Sequence, residues 1–191
     1  MSTNISDICL EKSISIKDNH LDVNYIENFI NEENSKILFE RFIKDSTYPN
    51  KRSKKIYGDQ NKKYIVNFRG NIVEYPILAW DPLLFDIKIY LENTFNIFLT
   101  VCVVSIYPNS KICIKPHKDK EMIPGTKIIG ISLGDSRILR MSNHSNKYDI
   151  ELKNGSMYVF NPPTNDHWSH EILQGNQDNN KSRICLTFRN Y

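Results

Sequence analysis

His117 and Asp119 are two side chains of metal-binding type, separated by a single residue, Lys118. In a strand, residues two apart point to the same face, so the imidazole and the carboxylate would converge on one point. Together they make up two of the three ligands of the 2-His-1-carboxylate facial triad, which binds non-haem Fe(II). On its own this spacing favours a solvated hairpin, since His-x-Asp occurs often by chance.

A facial triad also needs a second histidine from a distant strand. His170, in the segment Trp168-Ser169-His170, is a candidate. His167 lies close before it, and the composition of the segment does not choose between the two histidines. The sequence therefore contains the ligand types of an iron site, but their meeting depends on the fold.

Arg183 and Arg189 belong to one β-branched and aromatic run near the end of the chain. In a strand they would share a face, with Cys185 and Thr187 between them on the same side. A guanidinium inside a barrel is costly unless an anion meets it. A dicarboxylate such as 2-oxoglutarate would supply that anion through charge-assisted, often bidentate hydrogen bonds. The alternative is a pair of strand-end arginines bound to surface carboxylates.

Cations are concentrated in one segment in the first third of the chain, and aromatic residues alternate with them. Such a segment can pair cations with phosphates and aromatic faces with bases. The alternative is a lysine-rich loop that is merely solvated. The cations are Lys51, Arg52, Lys54, Lys55, Lys62 and Lys63, and the aromatic residues are Tyr57, Tyr64 and Phe68.

Length and composition are those of a globular protein with one sizeable core: 191 residues, 40% hydrophobic and 25% charged. The net charge of +3 permits nucleic-acid binding without requiring it. No run approaches the ~20 apolar residues of a membrane span, and the first residues lack the pattern of a signal peptide. The four cysteines contain no C-x-x-C pair, which favours a reducing compartment and hence an intracellular protein of the cytoplasm or nucleus.

Two helices and a series of short strands are predicted along the chain. Residues 1–24 read as a polar lead-in with a short strand at 13–16. Asn31 caps a first helix, and Asp81 followed by Pro82 begins a second. From residue 98 onward, β-branched and aromatic runs are separated by turn signals, which suggests a sandwich or jelly roll. The predicted strands are 99–107, 111–116, 128–133, 138–141, 148–152, 156–160, 167–173 and 183–188.

In their order, these features resemble the AlkB family of Fe(II)/2-oxoglutarate dioxygenases, most closely its DNA-repair members. The order is His117-x-Asp119, then His170, then Arg183 and Arg189. Longer pieces also match: residues 154–170 look like the strand and turn leading to the family's distal histidine, and 182–189 look like its closing strand. The segment 51–59, with Lys-Arg and then Tyr-Gly-Asp, looks like its nucleotide-recognition lid.

The resemblance implies a mainly β fold, a double-stranded β-helix (jelly roll) with N-terminal helices packed on one sheet. One dioxygenase domain would cover residues 25–191, with the lid at about 46–76 and the jelly-roll core at about 98–191. His117, Asp119 and His170 would hold the iron as the catalytic centre, and His167 would support them. Fe(2+), 2-oxoglutarate and O2 are the implied cofactors.

The same resemblance assigns the cosubstrate and substrate contacts. Tyr107 would hydrogen-bond 2-oxoglutarate, and Arg183 and Arg189 would clamp its carboxylates. Ser105 and Cys185 stand in the same pocket where the family usually carries asparagines, and both replacements weaken the expected binding.

On the substrate side, Glu121 would contact the damaged base, and Tyr64 would shape the base pocket. Arg52 and Tyr57 would belong to the lid. Lys44 stands where the duplex-specialised relative inserts an aromatic wedge, which argues against efficient opening of duplexes.

The implied function is oxidative demethylation of N1-methyladenine and N3-methylcytosine in nucleic acid, coupled to decarboxylation of 2-oxoglutarate to succinate. The base must leave the stack to reach the metal, which is cheapest in single strands. A monomer acting on single-stranded DNA or RNA, without a membrane partner, is therefore expected. The alternatives are an RNA demethylase, a protein hydroxylase of the same superfamily, or a catalytically idle nucleic-acid-binding module.

Overall fold

The computed structural model describes residues 13–61, 63–68, 71–176 and 180–191. The predictions on Lys62, on the side chain of Phe68 and on residues 1–12 of the lead-in lie outside the described residues. In chain order the elements are β1 (Ser13–Asp18), β2 (Leu21–Ile26), α1 (Glu32–Ile43), β3 (Ser53–Gly58), β4 (Tyr64–Phe68), β5 (Asn71–Tyr75), β6 (Ile77–Leu78), α2 (Pro82–Phe95), β7 (Val101–Tyr107), β8 (Ile114–His117), β9 (Ile128–Gly134), β10 (Arg137–Ser142), β11 (Lys147–Leu152), β12 (Met157–Phe160), α3 (Thr164–His167), β13 (Ser169–Ile172) and β14 (Arg183–Arg189).

Most of the strands form two sheets that pack face to face. The large sheet has eight strands in the order β1-β2-β12-β9-β14-β7-β3-β6, and the small sheet has four in the order β11-β10-β13-β8. One apolar cluster joins them, with Tyr107 and Phe160 from the large sheet and Leu139 and Ile172 from the small one. This confirms the predicted jelly roll.

Helices α1 and α2 cover the opposite face of the large sheet, as predicted. Phe42 of α1 and Leu91 of α2 belong to one core cluster with Leu186 and Phe188 of β14. The cluster buries the alternate residues of the central strands, and the residues between them face the small sheet. The large sheet therefore separates a purely apolar core from a second interior that can hold polar groups.

Both helices begin where their capping residues predict. The Asn31 side chain accepts a hydrogen bond from the Asn34 N–H (2.9 Å), and Glu32 lies in the first turn of α1, where a carboxylate complements the helix dipole. The Asp81 side chain accepts from the Leu83 N–H (3.0 Å), and Pro82 is the first residue of α2.

The structure differs from the sequence-based prediction in the lead-in. Strands β1 and β2 form an antiparallel pair from Ser13 to Ile26, and β2 pairs in turn with β12. The predicted boundary between residues 24 and 25 therefore falls inside a strand of the large sheet. The strand predicted at 167–173 begins later, at Ser169, because residues 164–167 form the short helix α3.

A small hairpin stands apart from the two sheets. Among the residues that the structure describes, strands β4 and β5 pair with each other alone, in a two-stranded sheet within the segment predicted as the lid. We call β4 and β5 the lid hairpin. Among the described residues, no helix has the length and apolar character needed to cross a membrane.

Truncation of Phe42 tests the core between α1 and the large sheet. Phe42 is 0% exposed and packs edge-on against Tyr57. We expect Phe42→Ala to lower the free energy of unfolding by about 3–5 kcal/mol in chemical denaturation, because it removes apolar contacts and leaves a cavity. The matched control is Phe98→Ala, at a phenylalanine that is 80% exposed; its expected effect is within about 0.5 kcal/mol. Equal losses in the two variants would contradict this account of the core.

Candidate metal centre

The facial-triad residues come together between two strands of the small sheet. His117 ends β8, and His170 on the antiparallel strand β13 is its direct partner, with ring centroids 4.2 Å apart. Asp119 follows β8, with its carboxylate oxygens 3.7 Å from His117 Nε2 and 4.0 Å from His170 Nε2. One ligand atom from each residue lies within 4.8 Å of the others, so small side-chain rotations let a single ion bind all three.

Each imidazole is prepared to act as a neutral ligand. His117 Nδ1 lies 2.9 Å from the Lys115 carbonyl oxygen. A proton on Nδ1 donates to that carbonyl and leaves Nε2 free to bind a metal. Burial lowers the pKa of His170 to about 4, so its ring is uncharged at neutral pH and has a lone pair available.

Asp119 is held as a carboxylate although it is buried. Burial would raise its pKa, but the charge of the Arg189 guanidinium outweighs burial and leaves the pKa below its ordinary value. Arg189 Nη2 lies 3.2 Å from Asp119 Oδ2. The acidic ligand is therefore ionised and fixed by a neighbouring cation.

His167 lies outside the triad. Its exposed ring stacks on His20 at a centroid distance of 4.0 Å, on the far side of the turn that leads into β13. The geometry thus chooses His170 as the second histidine, which the sequence alone left open.

Asn165 is a functional candidate that the sequence analysis missed. Its Oδ1 accepts a hydrogen bond from the Asp119 N–H (2.9 Å), and its Nδ2 donates to the Asp119 carbonyl oxygen (2.7 Å). One amide thus holds both backbone groups of the metal-binding aspartate. The resemblance of residues 154–170 to the turn before the family's distal histidine pointed to this segment, but it did not show which loop the asparagine would contact.

Arg183 has the surroundings of an anion-binding group. The side chain is fully buried, its Nε donates to Ser132 Oγ (3.1 Å), and its guanidinium carbon lies 5.0 Å from the centroid of the Tyr107 ring. Its Nη1 and Nη2 atoms find no hydrogen-bond partner among the described residues. A carboxylate accepts from two such N–H groups at once, so the pocket fits one end of a dicarboxylate.

Arg189 differs from Arg183 because it already has partners. Besides Asp119, its Nη1 donates to the Tyr64 hydroxyl (3.3 Å) and lies 3.9 Å from Glu121 Oε2. The two arginines share a face of β14 as predicted, with Cys185 between them in the inner cluster and Leu186 in the opposite core. Arg189 therefore links the metal ligand to Glu121 and to the lid hairpin.

Ser105 and Cys185 lie opposite each other in the register of β7 and β14. Both are buried, and Cys185 Sγ is 3.8 Å from the Tyr158 hydroxyl and 3.4 Å from Thr187 Oγ1. The structure thus places both residues on the inner face of the sheet, beside the buried arginines.

A third buried arginine, Arg137, was not singled out from the sequence. It forms an ion pair with Asp135 and donates to the Lys181 carbonyl oxygen (3.2 Å). Burial and the neighbouring Arg183 lower its pKa. A second buried guanidinium therefore lies close enough to Arg183 for their charges to repel each other. In the sequence, Arg137 starts an apparently ordinary strand with a second, surface arginine nearby, so nothing marked it as internal.

Tyr57 was predicted to be a substrate contact, and the structure contradicts this. Its ring lies in the core below α1, and its hydroxyl donates to Asp45 (3.0 Å). The alternation of β3 turns Tyr57 to the helix side of the large sheet, away from the triad. Arg52, which was also assigned to the lid, is exposed, and its charge contributes to the lowered pKa of Asp119.

Comparisons with known proteins agree with this geometry. A family model described as the 2OG-Fe(II) oxygenase superfamily matches residues 92–189. DNA oxidative demethylase ALKBH2 of Mus musculus is 30% identical over 155 residues, covering 72% of this chain and 61% of that protein. The Homo sapiens protein of the same name is 27% identical over 150 residues, covering 72% of this chain and 56% of its own length. The chain thus matches less than two thirds of the length of these curated relatives.

Solved structures with a similar fold are more distant in sequence. The structure of OsALKBH1 has a TM-score of 0.67 at 13% identity, covering 93% of this chain and 100% of that chain. A Pseudomonas putida prolyl-4-hydroxylase has a TM-score of 0.53 at 16% identity, covering 91% and 94%. At these identities the likeness concerns the fold.

We expect Asn165→Ala to weaken metal binding by about 10- to 100-fold, because the Asp119 backbone loses both of its hydrogen bonds to the Asn165 amide. Isothermal titration calorimetry with Mn²⁺ measures the dissociation constant of the metal without any turnover. The matched control is Asn109→Ala, since the Asn109 amide also accepts from one backbone N–H, of Lys111 (3.1 Å), and donates to one carbonyl, of Pro49 (3.0 Å). Unchanged Mn²⁺ affinity in Asn165→Ala, or an equal loss in the control, would contradict a positioning role for Asn165.

Proposed function

The chain belongs to the 2OG-Fe(II) oxygenase superfamily and, within it, to the AlkB family; from this premise we propose that it removes N-methyl groups from nucleic-acid bases while decarboxylating 2-oxoglutarate to succinate. As a dioxygenase it uses Fe(2+), 2-oxoglutarate and O2. With iron bound, oxidation of 2-oxoglutarate by O2 would be coupled to hydroxylation of the methyl group, and the product would then lose formaldehyde. His117, Asp119 and His170 are the residues that would hold the iron.

The observation that carries the proposal is the set of contacts that Arg189 makes. A single guanidinium touches the metal-ligand carboxylate, the acidic side chain of Glu121 and the hydroxyl of Tyr64 in the lid hairpin. A group at the metal is therefore adjacent to an acidic residue and to an aromatic wall. That combination suits an aromatic ring that carries positive charge.

The chain's own residues would divide the work between cosubstrate and substrate. Arg183, next to Tyr107, would bind one carboxylate of 2-oxoglutarate in the buried pocket, where water is excluded. Arg189 would hold Asp119 ionised and contribute its charge to the other end of the cosubstrate. Ser105 and Cys185 would line the space between them, with shorter or softer polar groups than the asparagines usual in the family.

Glu121 supports methylated bases that are cations, such as N1-methyladenine and N3-methylcytosine, as the substrates. Its carboxylate lies on the lid side of the triad, and a cationic ring near it gains Coulomb energy that a neutral base lacks. Tyr64 offers an aromatic side chain next to it. The exposed Arg52 and the neighbouring Lys51 would contact the phosphate backbone.

A single-stranded substrate fits this chain better than a duplex. Opening a duplex calls for an apolar wedge that replaces the stacking of the extruded base. Lys44, at the position where the duplex-specialised relative has its wedge, is an exposed cation directly after α1. We therefore propose a monomer acting on single-stranded DNA or RNA inside the cell, in the cytoplasm or nucleus.

The first test is formaldehyde release from oligonucleotides that contain one N1-methyladenine or N3-methylcytosine. The assay compares single with double strands and DNA with RNA, each with Fe(II) and 2-oxoglutarate. Release at a higher rate from single strands than from duplexes supports the proposal, and a rate on RNA far above that on DNA favours the alternative of a dedicated RNA demethylase. If no oligonucleotide reacts, anaerobic titration with Fe(II) and 2-oxoglutarate distinguishes the remaining cases. A visible charge-transfer band would then favour a protein hydroxylase, and its absence an idle binding module.

Substitution of Arg183 tests the cosubstrate pocket. Loss of a buried cation from a charge pair costs about 2–5 kcal/mol, so we expect Arg183→Gln to weaken 2-oxoglutarate binding by roughly 30-fold or more. The anaerobic charge-transfer titration measures this dissociation constant. The control is Arg140→Gln, since Arg140 makes its bidentate pair with Asp149 on the exposed side of the small sheet. Wild-type affinity in Arg183→Gln would rule out the assigned carboxylate contact.

Substitution of Glu121 tests the base contact. We expect Glu121→Ala to reduce demethylation of the cationic lesions more than it reduces 2-oxoglutarate turnover without substrate, because only the former needs the carboxylate to meet a base. Formaldehyde and succinate, measured in parallel, give the two rates. Equal losses in both assays would remove the proposed role of Glu121.

A further inference from the structure

Lys54 of β3 lies between the large sheet and the lid hairpin. Its Nζ is 3.9 Å from the centroid of the Tyr75 ring and 5.5 Å from that of Tyr64. Both distances are within the range of a cation–π interaction. The two tyrosines pack edge to face at a centroid distance of 6.3 Å. The Lys54 ammonium thus lies against the two tyrosine rings of the lid hairpin.

The register of the large sheet places Lys54 on the same face as the candidate site. Lys54 is the direct partner of Ser105 on β7, and Ser105 is the partner of Cys185 on β14. Across the sheet these three residues form one row. Lys54 therefore lies in the interior that contains the arginines, although it is contributed by the segment predicted as the lid.

The charges around Lys54 are those of the candidate site. Burial lowers its pKa to about 8, Arg52 and Arg189 lower it as well, and Glu121 and Asp119 raise it. Because this pKa still lies above 7, the amine is mainly protonated at neutral pH. The tyrosine rings of the lid hairpin near Glu121 are therefore already paired with a cation, Lys54.

A contact path connects this cation to the metal ligands. Lys54 faces the Tyr64 ring, the Tyr64 hydroxyl accepts a hydrogen bond from Arg189, and Arg189 pairs with Asp119. A base that approaches Glu121 past the Tyr64 ring comes close to the Lys54 ammonium. A positively charged base is repelled there, whereas a neutral base is not.

We propose that Lys54 is a specificity-determining residue of the base pocket, which opposes the attraction of Glu121 for cationic bases and so lets neutral N-methylated bases compete. This inference rests on the proposed demethylation of nucleic acid. Glu121 and Lys54 act as two opposite charges on one pocket, and the ratio of cationic to neutral substrates reports their balance. Without Lys54, the pocket would select cationic lesions more strongly.

The neighbouring residue provides a matched control. Lys55 points to the opposite face of the sheet, where its Nζ pairs with Asp45 (2.8 Å) next to the Tyr57 hydroxyl. Lys54 and Lys55 thus have the same charge, the same strand and nearly the same place in the sequence. They differ in the face of the large sheet on which each side chain lies.

The test compares two methylated pyrimidines in the same single-stranded oligonucleotide at pH 7. N3-methylcytosine carries a positive charge, and N3-methylthymine is neutral. The variants are Lys54→Met, which keeps an unbranched apolar chain against the tyrosines, Lys54→Gln as a second neutral form, Lys54→Arg, which keeps the charge, and Lys55→Met. For each protein, kcat/KM comes from formaldehyde release. Fluorescence anisotropy of the apoprotein gives the oligonucleotide Kd independently of turnover.

Removal of the charge should raise the ratio of kcat/KM for the cationic over the neutral base by about fivefold, the effect of one partly screened charge several ångströms away. We expect the same direction in the two Kd values, and wild-type ratios in Lys54→Arg and Lys55→Met. An unchanged ratio in Lys54→Met and Lys54→Gln, with both substrates losing activity equally, would show a purely structural contact to the lid hairpin and overturn the inference. A wild-type protein that releases no formaldehyde from any methylated oligonucleotide would overturn the proposed function itself, and this inference with it.

Discussion

The candidate site depends on one constraint, the burial of charged and ionisable side chains. Asp119, His170, Arg183 and Arg189 are all buried, and each must be neutral or paired to be tolerated there. Burial keeps His170 neutral, and Arg189 compensates Asp119. Arg183 donates its Nε to Ser132, and its two terminal nitrogens have no hydrogen-bond partner among the described residues. In the proposed site, a dicarboxylate would complete the charge balance at this guanidinium. In the proposed site, metal binding and cosubstrate binding would thus be two parts of a single electrostatic arrangement.

The strand β14 shows how one sequence can serve both the core and the site. Leu186 and Phe188 pack against the helices, while the residues between them face the small sheet. The strand pairs with β7 over its whole length and with β9 from Arg183 to Phe188. The spacing of Arg183 and Arg189 is therefore fixed by backbone hydrogen bonds on either side. A polar pocket can exist next to an apolar core because the sheet itself is the boundary between them.

How much could be read from the sequence follows from the range of the interactions. Alternation within a strand is local, so the shared face of the arginines was predictable. His117 and Asp119 do converge, but Asp119 lies just beyond the end of β8, and its backbone is held by Asn165 rather than by strand pairing. Asn165 was not, because its role depends on a contact between two loops distant in sequence. Tyr57 was misplaced because β3 reads Ser-Lys-Lys-Ile-Tyr-Gly, which has no alternation of polar and apolar residues from which to assign faces. For the same reason, the strand did not reveal Lys54 as the lysine that faces the site.

The attachment of the lid hairpin has a thermodynamic consequence. An isolated pair of short strands is marginally stable, so the order of β4 and β5 depends on what Tyr64 and Tyr75 touch. Tyr64 is bonded to the same guanidinium that compensates the ligand aspartate. Linkage is reciprocal: if occupation of the metal site changes the hold of Arg189 on Tyr64 by some factor, closure of the hairpin changes metal affinity by that same factor. In that case, a nucleic-acid strand that binds to the lid hairpin would change the affinity for the metal without contacting the metal.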